Sequence, residues 1–388
     1  MYDDTNAQIL DYHRSMLVDS ARMRAYARAI MHAVRPGDVV LDIGCGTGVL
    51  AYFACMAGAR RVYAVEQSPV IELAKDLGER NGFDDRVVYL NEWSTDVELP
   101  ELADVLITET IGNAAVDEGI LGWVIDARTR LLRPGGTIVP ERLELWTAGI
   151  ESWDDHALVD DWARPVFTLD CAAAHDRAKQ TLWWVDLDAK HVVTDPVRVA
   201  TIDLATVDDA SLTSSGTLRA RRRGTAHGLA CWFEADLGQD ITVGNAPPAS
   251  APSWSQAFLP ADRVFGVTEG DTLDWELAIS ANGEGWRWSL DPAVDRDVST
   301  SGDGLDAEPG EPVDSGAVHR RASRGDVDLM ILQLMDGDHS DAEIAAAVFE
   351  RHAGHFVDER MMRNHVFSVI EDYKRIERVD RHVVPTGG

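Results

Sequence analysis

The stretch DVVLDIGCGTGVLAYFACMAGARRVYAVE, residues 38–66, decides how this chain is read. Val39–Ile43 is a short, mostly β-branched apolar run, the pattern of a strand buried on both faces. Gly44, Gly46 and Gly48 follow, then an apolar segment of helical length, then a second strand, Arg61–Val65, ending at Glu66. Glycines at a strand-to-helix turn let the backbone bend sharply and approach a ligand closely. An acid at the end of the next strand sits where it can accept hydrogen bonds from ribose hydroxyls. A dinucleotide turn reads G-x-G-x-x-G and would point to an NAD-using oxidoreductase. Here the spacing is G-x-G-x-G with Asp42 before it, which favours S-adenosyl-L-methionine over NAD.

Strand-like runs recur at 87–90, 104–108 and 136–139, with helical segments between several of them. Alternating strands and helices predict a parallel sheet covered on both faces. Upstream, residues 10–34 repeat apolar groups at helical spacing through Met16, Leu17, Met23, Tyr26 and Ile30. Past Pro140 the pattern becomes LELWTAGI, TLWWVDL, VRVATIDLAT, LACWFEADL, TLDWELAIS and WRWSL, which predicts a mainly antiparallel β domain. A partly helical interruption at 154–179 has the character of an arm. The basic cluster at 219–223 is placed within a hairpin.

Residues 297–316 are acidic and rich in Gly, Ser and Pro, the composition of a flexible linker. Beyond them, an Asp-capped helix and its neighbours predict a small, mostly helical module in which Met330, Leu332, Leu334 and Met335 pack. The expected division is therefore capping helices 1–34, an α/β domain 35–141, a β-barrel-like domain 142–296 with an arm at about 155–180, the linker, and a module 317–388.

The chain carries 66 acidic against 36 basic residues, a net charge of -30, which repels nucleic-acid phosphates and attracts basic partners. It shows no apolar run long enough for a membrane helix and no secretory signal at its start. Its four cysteines lack metal-ligand spacing, so no metal is expected and a reduced, cytoplasmic setting is.

After the run Val105–Ile107 comes ETIGNAAVDE, with Glu109 and Glu118 at its ends and no cation between. Two such carboxylates either point apart into water or await a cationic ligand. At this point a family resemblance becomes visible. The stretch 40–68, VELP at 97–100, the paired-glutamate loop and LLRPGGTIVPER at 131–142 resemble the protein arginine methyltransferases, a branch of the class I methyltransferases. So do MLVDSARMRAY at 16–26, HGLACWFEADL at 227–237 and SWSQAFLP at 253–260.

The resemblance implies a Rossmann-like cofactor domain, a β-barrel-like substrate domain, and a homodimer formed through an arm around 167–178. It implies a cofactor set of Met16, Arg22, Asp42, Gly44, Cys45, Gly46, Gly48, Glu66, Gln67, Trp93, Ser94 and Glu109. Arg22 would meet the methionine carboxylate, and Trp93 and Ser94 stand in for an adenine-facing glutamate that Thr95 replaces. Glu109 and Glu118 would clamp and orient a cationic nitrogen as catalytic residues, with Asp19, Asn113, Ser253 and Trp254 on the substrate side.

The chain departs from the family at two places. Asn113, not an aromatic residue, follows Gly112. Pro252-Ser253-Trp254 stands where a Thr-His-Trp stretch would supply an imidazole to Asp19, leaving His13 or His227 as substitutes. The C-terminal module resembles the small winged-helix modules of peptide-natural-product enzymes. The expected activity is methyl transfer to a cationic nitrogen, amine or guanidine, of a peptide or protein, preferably a ribosomally made precursor peptide, with protein arginine N-methylation as the alternative. A noncatalytic scaffold that only binds the cofactor is the alternative of another class.

Overall fold

A computed structural model of the chain describes residues 4–163, 170–247, 253–293, 330, 331, 334, 339–352 and 366. The chain divides into two compact units, residues 1–298 and 299–388. The first begins with helices α1 (Asp4–Val18) and α2 (Ser20–Ala33). The helical pattern over 10–34 is thus broken at Asp19, whose carboxylate accepts from the backbone amides of Ala21 at 3.2 Å and Arg22 at 3.1 Å. Those amides have no partner inside the first turn of a helix, and such a cap contributes about 1 kcal/mol.

Five parallel strands follow: β1 (Val39–Ile43), β2 (Arg61–Val65), β3 (Val87–Leu90), β4 (Ala103–Thr108) and β5 (Leu132–Val139). They lie in the order β3-β2-β1-β4-β5, joined by α3 (Val49–Ala57), α4 (Ile71–Asn81) and α5 (Ile120–Arg130). The β5 strand starts earlier than the apolar pattern indicates, because Leu132 already pairs with Ala103 before a register irregularity. Every residue of β1 is buried. Full burial of Val40 and Leu41 contributes roughly 2 kcal/mol each. The chain runs outward from β1 to β3, then returns to the far side of β1 for β4. That reversal opens a crevice at the carboxyl ends of β1 and β4, where open parallel sheets take their ligands.

The remainder of this unit is antiparallel. Strands β6 (Arg142–Ile150), β7 (Trp183–Val185), β8 (Val197–Asp203), β10 (Gly224–Asp236) and β12 (Gln256–Val267) lie in the order β7-β12-β10-β6-β8, with the short β11 (Thr242–Gly244) on β10. Strands β9 (Leu212–Arg219), β13 (Thr272–Ile279) and β14 (Trp286–Pro292) form a second sheet. The sequence pattern does not reveal β9, because LTSSGTLR buries only Leu212 and Leu218. The basic cluster is not in a hairpin. Arg219 ends β9, which pairs with β13, whereas β10 pairs with β6 and β12. Residues 220–223 cross between the sheets, and Arg222 is held by Glu151 at 2.7 Å.

Helices α6 (Trp153–Asp160) and α7 (Ala172–Lys179) occupy the expected arm; Phe167, at its middle, lies outside the described residues. Side chains from both halves, including Leu41, Leu106, Leu145, Phe233, Leu259 and Leu277, share one apolar core.

In the second unit, helix α8 spans Asp341–His352. Its cap is Ser340, not the expected aspartate. Ser340 and Glu343 exchange hydrogen bonds, Ser340 N to Glu343 Oε2 at 2.8 Å and Glu343 N to Ser340 Oγ at 3.3 Å, a capping box. Ile331, Ile344, Ala345, Val348 and Val366 are buried together, with Met330 and Leu334 against them. Leu332, Met335 and the expected linker at 297–316 lie outside the described residues. Among the described residues no helix is long and apolar enough to cross a membrane, and no metal-type cluster forms.

Candidate active site

Two adjoining cavities open in the crevice, of about 660 and 210 Å³, sharing Gly44, Glu66, Gln67, Thr110 and Glu118 as walls. Their floor is the turn after β1. Gly44 has φ +69, and a Cβ there would lie 2.6 Å from Thr110 Cγ2, so the turn requires glycine. The Gly46 amide donates to Glu66 Oε2 at 3.1 Å and the Ser68 amide to Glu66 Oε1 at 2.8 Å. A carboxylate offers about four acceptor positions, so Glu66 keeps lone pairs for two hydroxyls. Gly48 lies off the cavity, facing the Tyr52 hydroxyl at the start of α3.

Asp42 also lies beneath the turn and not on a cavity wall. It is fully buried, and its oxygens have no hydrogen-bond partner within normal geometry. Burial pushes its pKa up to about 7, offset in part by the nearby Ala51 amide. Cys45 lines the larger cavity, its thiol pushed up by burial.

One face of α1 covers the larger cavity. Ile9, Tyr12, His13, Met16 and Leu17 recur at intervals of three and four residues and all line it. Burial lowers the pKa of His13, with Glu66 opposing, which favours a neutral ring at pH 7.

Arg22, on the first turn of α2, is the buried cation of the site. Its guanidinium lies 4.4 Å from the Trp254 ring centroid. It donates to Met16 Sδ at 3.3 Å and Ser253 Oγ at 3.3 Å, and pairs with Glu109 Oε2. Its Nε has no partner. Glu118 lines both cavities from the far end of the acidic loop, at the mouth where its carboxylate reaches solvent. The protein packed around it raises its pKa, Asp117 adds to the rise, and Arg22 opposes it.

The loop between the two acids is braced at several points. Asp117 accepts from the amides of Asn113 at 3.0 Å and Ala114 at 2.7 Å. At Gly112, with φ +72, a Cβ would meet the same carboxylate at 2.5 Å. Asn113 lines the cavity, yet its amide oxygen accepts from Ser255 N at 2.8 Å and its backbone carbonyl from Asn245 Nδ2 at 2.7 Å. It ties the loop to the β domain, which is a brace and not a free recognition group.

Asp19 finds its partner in Ser253, whose hydroxyl donates to Oδ2 at 2.6 Å. His227 takes no part. It is fully buried in the β domain, stacked on His156 with ring centroids 4.7 Å apart. A hydroxyl therefore occupies the place expected for an imidazole, linking Asp19 to Arg22. Ser253→Ala is expected to weaken S-adenosylhomocysteine binding about tenfold or more, since one hydrogen bond to a charged group is worth about 1.5–3 kcal/mol. Calorimetric titration checks this, and unaltered affinity would remove the link.

At the smaller cavity, Trp93 and Ser94 are on the wall, and Thr95 is exposed and is not. The sequence reading missed Glu92, Trp123 and Tyr12, all of which line the cavities. Glu92 follows the carboxyl end of β3, a position that could have marked it. Tyr12 shares the period of Met16 and His13. Trp123 gives no such signal, because an apolar residue in the first turn of an amphipathic helix reads as core.

The cleft suits a nucleoside bearing an amino-acid tail. It joins a cradle that excludes a Cβ at Gly44, acceptors at Glu66, and an unused buried donor on Arg22. Comparisons with known proteins agree. The family described as "Arginine methyltransferase oligomerization subdomain" matches residues 141–294, and that described as "Ribosomal protein L11 methyltransferase (PrmA)" matches residues 25–139. Protein arginine N-methyltransferase 6 of Xenopus laevis is 30% identical over 282 residues, 69% of this chain and 83% of that protein. Probable protein arginine N-methyltransferase 6 of Arabidopsis thaliana is 36% identical over 263 residues, 65% of this chain but 60% of its own length. Among solved structures, the Trypanosoma brucei PRMT1 enzyme-prozyme heterotetrameric complex with AdoHcy has a TM-score of 0.68 at 25% identity, covering 74% of this chain and 95% of that one. Arabidopsis thaliana protein arginine methyltransferase 10 has a TM-score of 0.61 at 26% identity, covering 73% and 98%. With S-adenosyl-L-methionine as its methyl donor, this chain belongs to the protein arginine N-methyltransferase family.

Proposed function

We propose that this enzyme methylates an arginine guanidinium nitrogen of a protein or peptide. The observation that carries the reading is that Glu109 and Glu118, at the two ends of one loop, both line the cavity that also holds Glu66 and the glycine turn. A planar guanidinium offers two edges, and two carboxylates can take one each. The relatives' names support arginine. The preference for a ribosomal precursor peptide gains nothing from them, so the alternative reading takes its place. The net charge of -30 favours a basic acceptor segment.

Glu66 is placed to hold ribose hydroxyls and Arg22 to receive a carboxylate, which together fix the donor against the turn. When bound, the donor supplies an electrophilic methyl carbon on a sulfonium. The two acids then divide their work by their surroundings. Glu109 gives Oε2 to Arg22, so its charge is partly neutralised and Oε1 is left to orient the substrate. The Glu118 carboxylate accepts no hydrogen bond among the described residues and has a raised pKa, which makes it the better acceptor for the departing proton. Holding the nitrogen in line supplies much of the acceleration.

We further infer a homodimer, supported by the match to an oligomerization subdomain and by exposed Trp153, Trp162 and Trp184 on and beside the arm. A reducing, cytoplasmic setting belongs to the same reading, on the buried thiols of Cys45, Cys55 and Cys231.

The test is to incubate the full chain with labelled donor and a basic peptide holding one arginine, beside the same peptide with lysine there. Mass spectrometry is expected to find methyl groups on the arginine alone. Methylation of the lysine or the terminal amine instead would return the assignment to a general amine.

A further inference from the structure

Trp123 joins the two ends of the cleft. It stands on the first turn of α5 and lines the smaller cavity beside Trp93, their ring centroids 5.9 Å apart and their planes inclined by 31°. Its indole N–H donates to the backbone carbonyl of Glu118 at 3.1 Å. We propose that Trp123 is a positioning residue through which occupancy of the nucleoside end of the cleft fixes the Glu118 carboxylate. The inference rests on the arginine reading above for the role of Glu118, and it adds the residue that places it.

Three observations carry it. First, nothing else described holds that side chain. The Glu118 carboxylate accepts no hydrogen bond among the described residues, so its position depends on its backbone. Second, that backbone has one soft point. Gly119, next in the chain, adopts φ +78 as the N-cap of α5, so its φ lacks the restraint a side chain would impose. The peptide unit between them is held on its other side by the Gly119 N–H, which donates to Val116 O at 3.1 Å. The indole N–H pins the carbonyl of this same peptide unit. Third, the ring that carries the N–H faces the cavity floored by Gly44 and Glu66, where a base attached to the Glu66-held ribose has Trp93 and Trp123 as its aromatic wall. Trp93 is exposed, whereas Trp123 is half-buried against the core, so Trp123 is the ring that can transmit a contact. Stacking restrains the ring, the ring restrains the N–H, and the N–H restrains Glu118.

The test separates the ring from its N–H. Trp123→Phe keeps an aromatic wall and loses the donor. Its affinity for S-adenosylhomocysteine is expected to stay within about threefold of the parent, while turnover at saturating donor falls about fivefold to tenfold, the effect of one lost positioning hydrogen bond. Trp93→Ala removes part of the wall and is expected to weaken S-adenosylhomocysteine about tenfold. Intrinsic fluorescence supplies a readout independent of methyl transfer. Binding of S-adenosylhomocysteine should quench the parent, and Trp123→Phe should lose part of that quench. Parental turnover in Trp123→Phe overturns the proposal. So does a loss of donor affinity equal to the loss of turnover, which marks a plain packing role, and so does an undiminished quench. A parent protein that binds and quenches yet methylates no arginine peptide refutes the substrate assignment, and the quench in Trp123→Phe still reports on the wall.

Discussion

Glu118→Gln is expected to lower turnover on an arginine peptide about a hundredfold to a thousandfold, the usual cost of removing one group that stabilises charge in the transition state. Donor binding should stay within a few-fold, because the Glu118 side chain holds none of the groups that cradle the donor. The variant keeps the shape and loses the anion that meets the guanidinium and accepts its proton. Glu109→Gln is also expected to collapse turnover, but it strips Arg22 of its carboxylate partner and so disturbs the donor site as well. Glu118 is therefore the cleaner probe. Its raised pKa fixes the sign of the pH dependence. The ionised form is the active one, so activity falls as pH drops, and it does so at a higher pH than an ordinary carboxylate would give. Stopped-flow or discontinuous assays of the parent and the two variants across pH check both parts. Parental turnover in Glu118→Gln would end the two-carboxylate account.

Asp42→Asn is expected to change how the ligand-free protein's stability depends on pH. The folded-state pKa of Asp42, about 7 from an ordinary 3.8, lies above that of the unfolded chain. The folded form therefore binds the proton more tightly. Stability from this group is fully present below about pH 4 and is lost as pH rises through 7. With about 1.4 kcal/mol per pKa unit, the loss reaches at most about 4 kcal/mol. Asparagine does not titrate, so the variant gains on the parent between pH 5 and pH 8. The amide it introduces carries its own unsatisfied cost at every pH, which makes the pH dependence the readout and not the absolute difference. Denaturation midpoints at the two pH values measure it. Parallel shifts of parent and variant would show that the carboxyl titrates normally.

The parallel sheet was legible because its central strand is buried on both faces and needs an unbroken apolar run, and because a glycine turn and an acid flank it. The antiparallel half was legible where buried aromatic and branched residues alternate, and illegible at β9, whose Ser, Thr and Gly side chains face outward over most of its length. The paired acids could be noticed from spacing, but their convergence on one cavity required the return of β4 beside β1. Contacts between distant residues left no local mark. Asp19 and Ser253 meet across 234 positions, and the absence of a histidine gave no hint that a hydroxyl would replace it. The helix cap at Ser340 was missed by one residue, since Ser and Asp are both good caps and only the reciprocal bond to Glu343 decides between them.

The glycine turn leaves β1 at Ile43 and the acidic loop leaves β4 at Thr108, and these two residues are register partners in adjacent strands. The spacing between the glycine turn and the start of the acidic loop is thus inherited from a backbone ladder and not from side-chain contacts. Side chains that line the cavity from another element, such as Ile9, Tyr12 and Leu17 on α1, can be exchanged to admit a different guest without moving those two strand ends. In such an architecture, selectivity can drift without dismantling the chemistry.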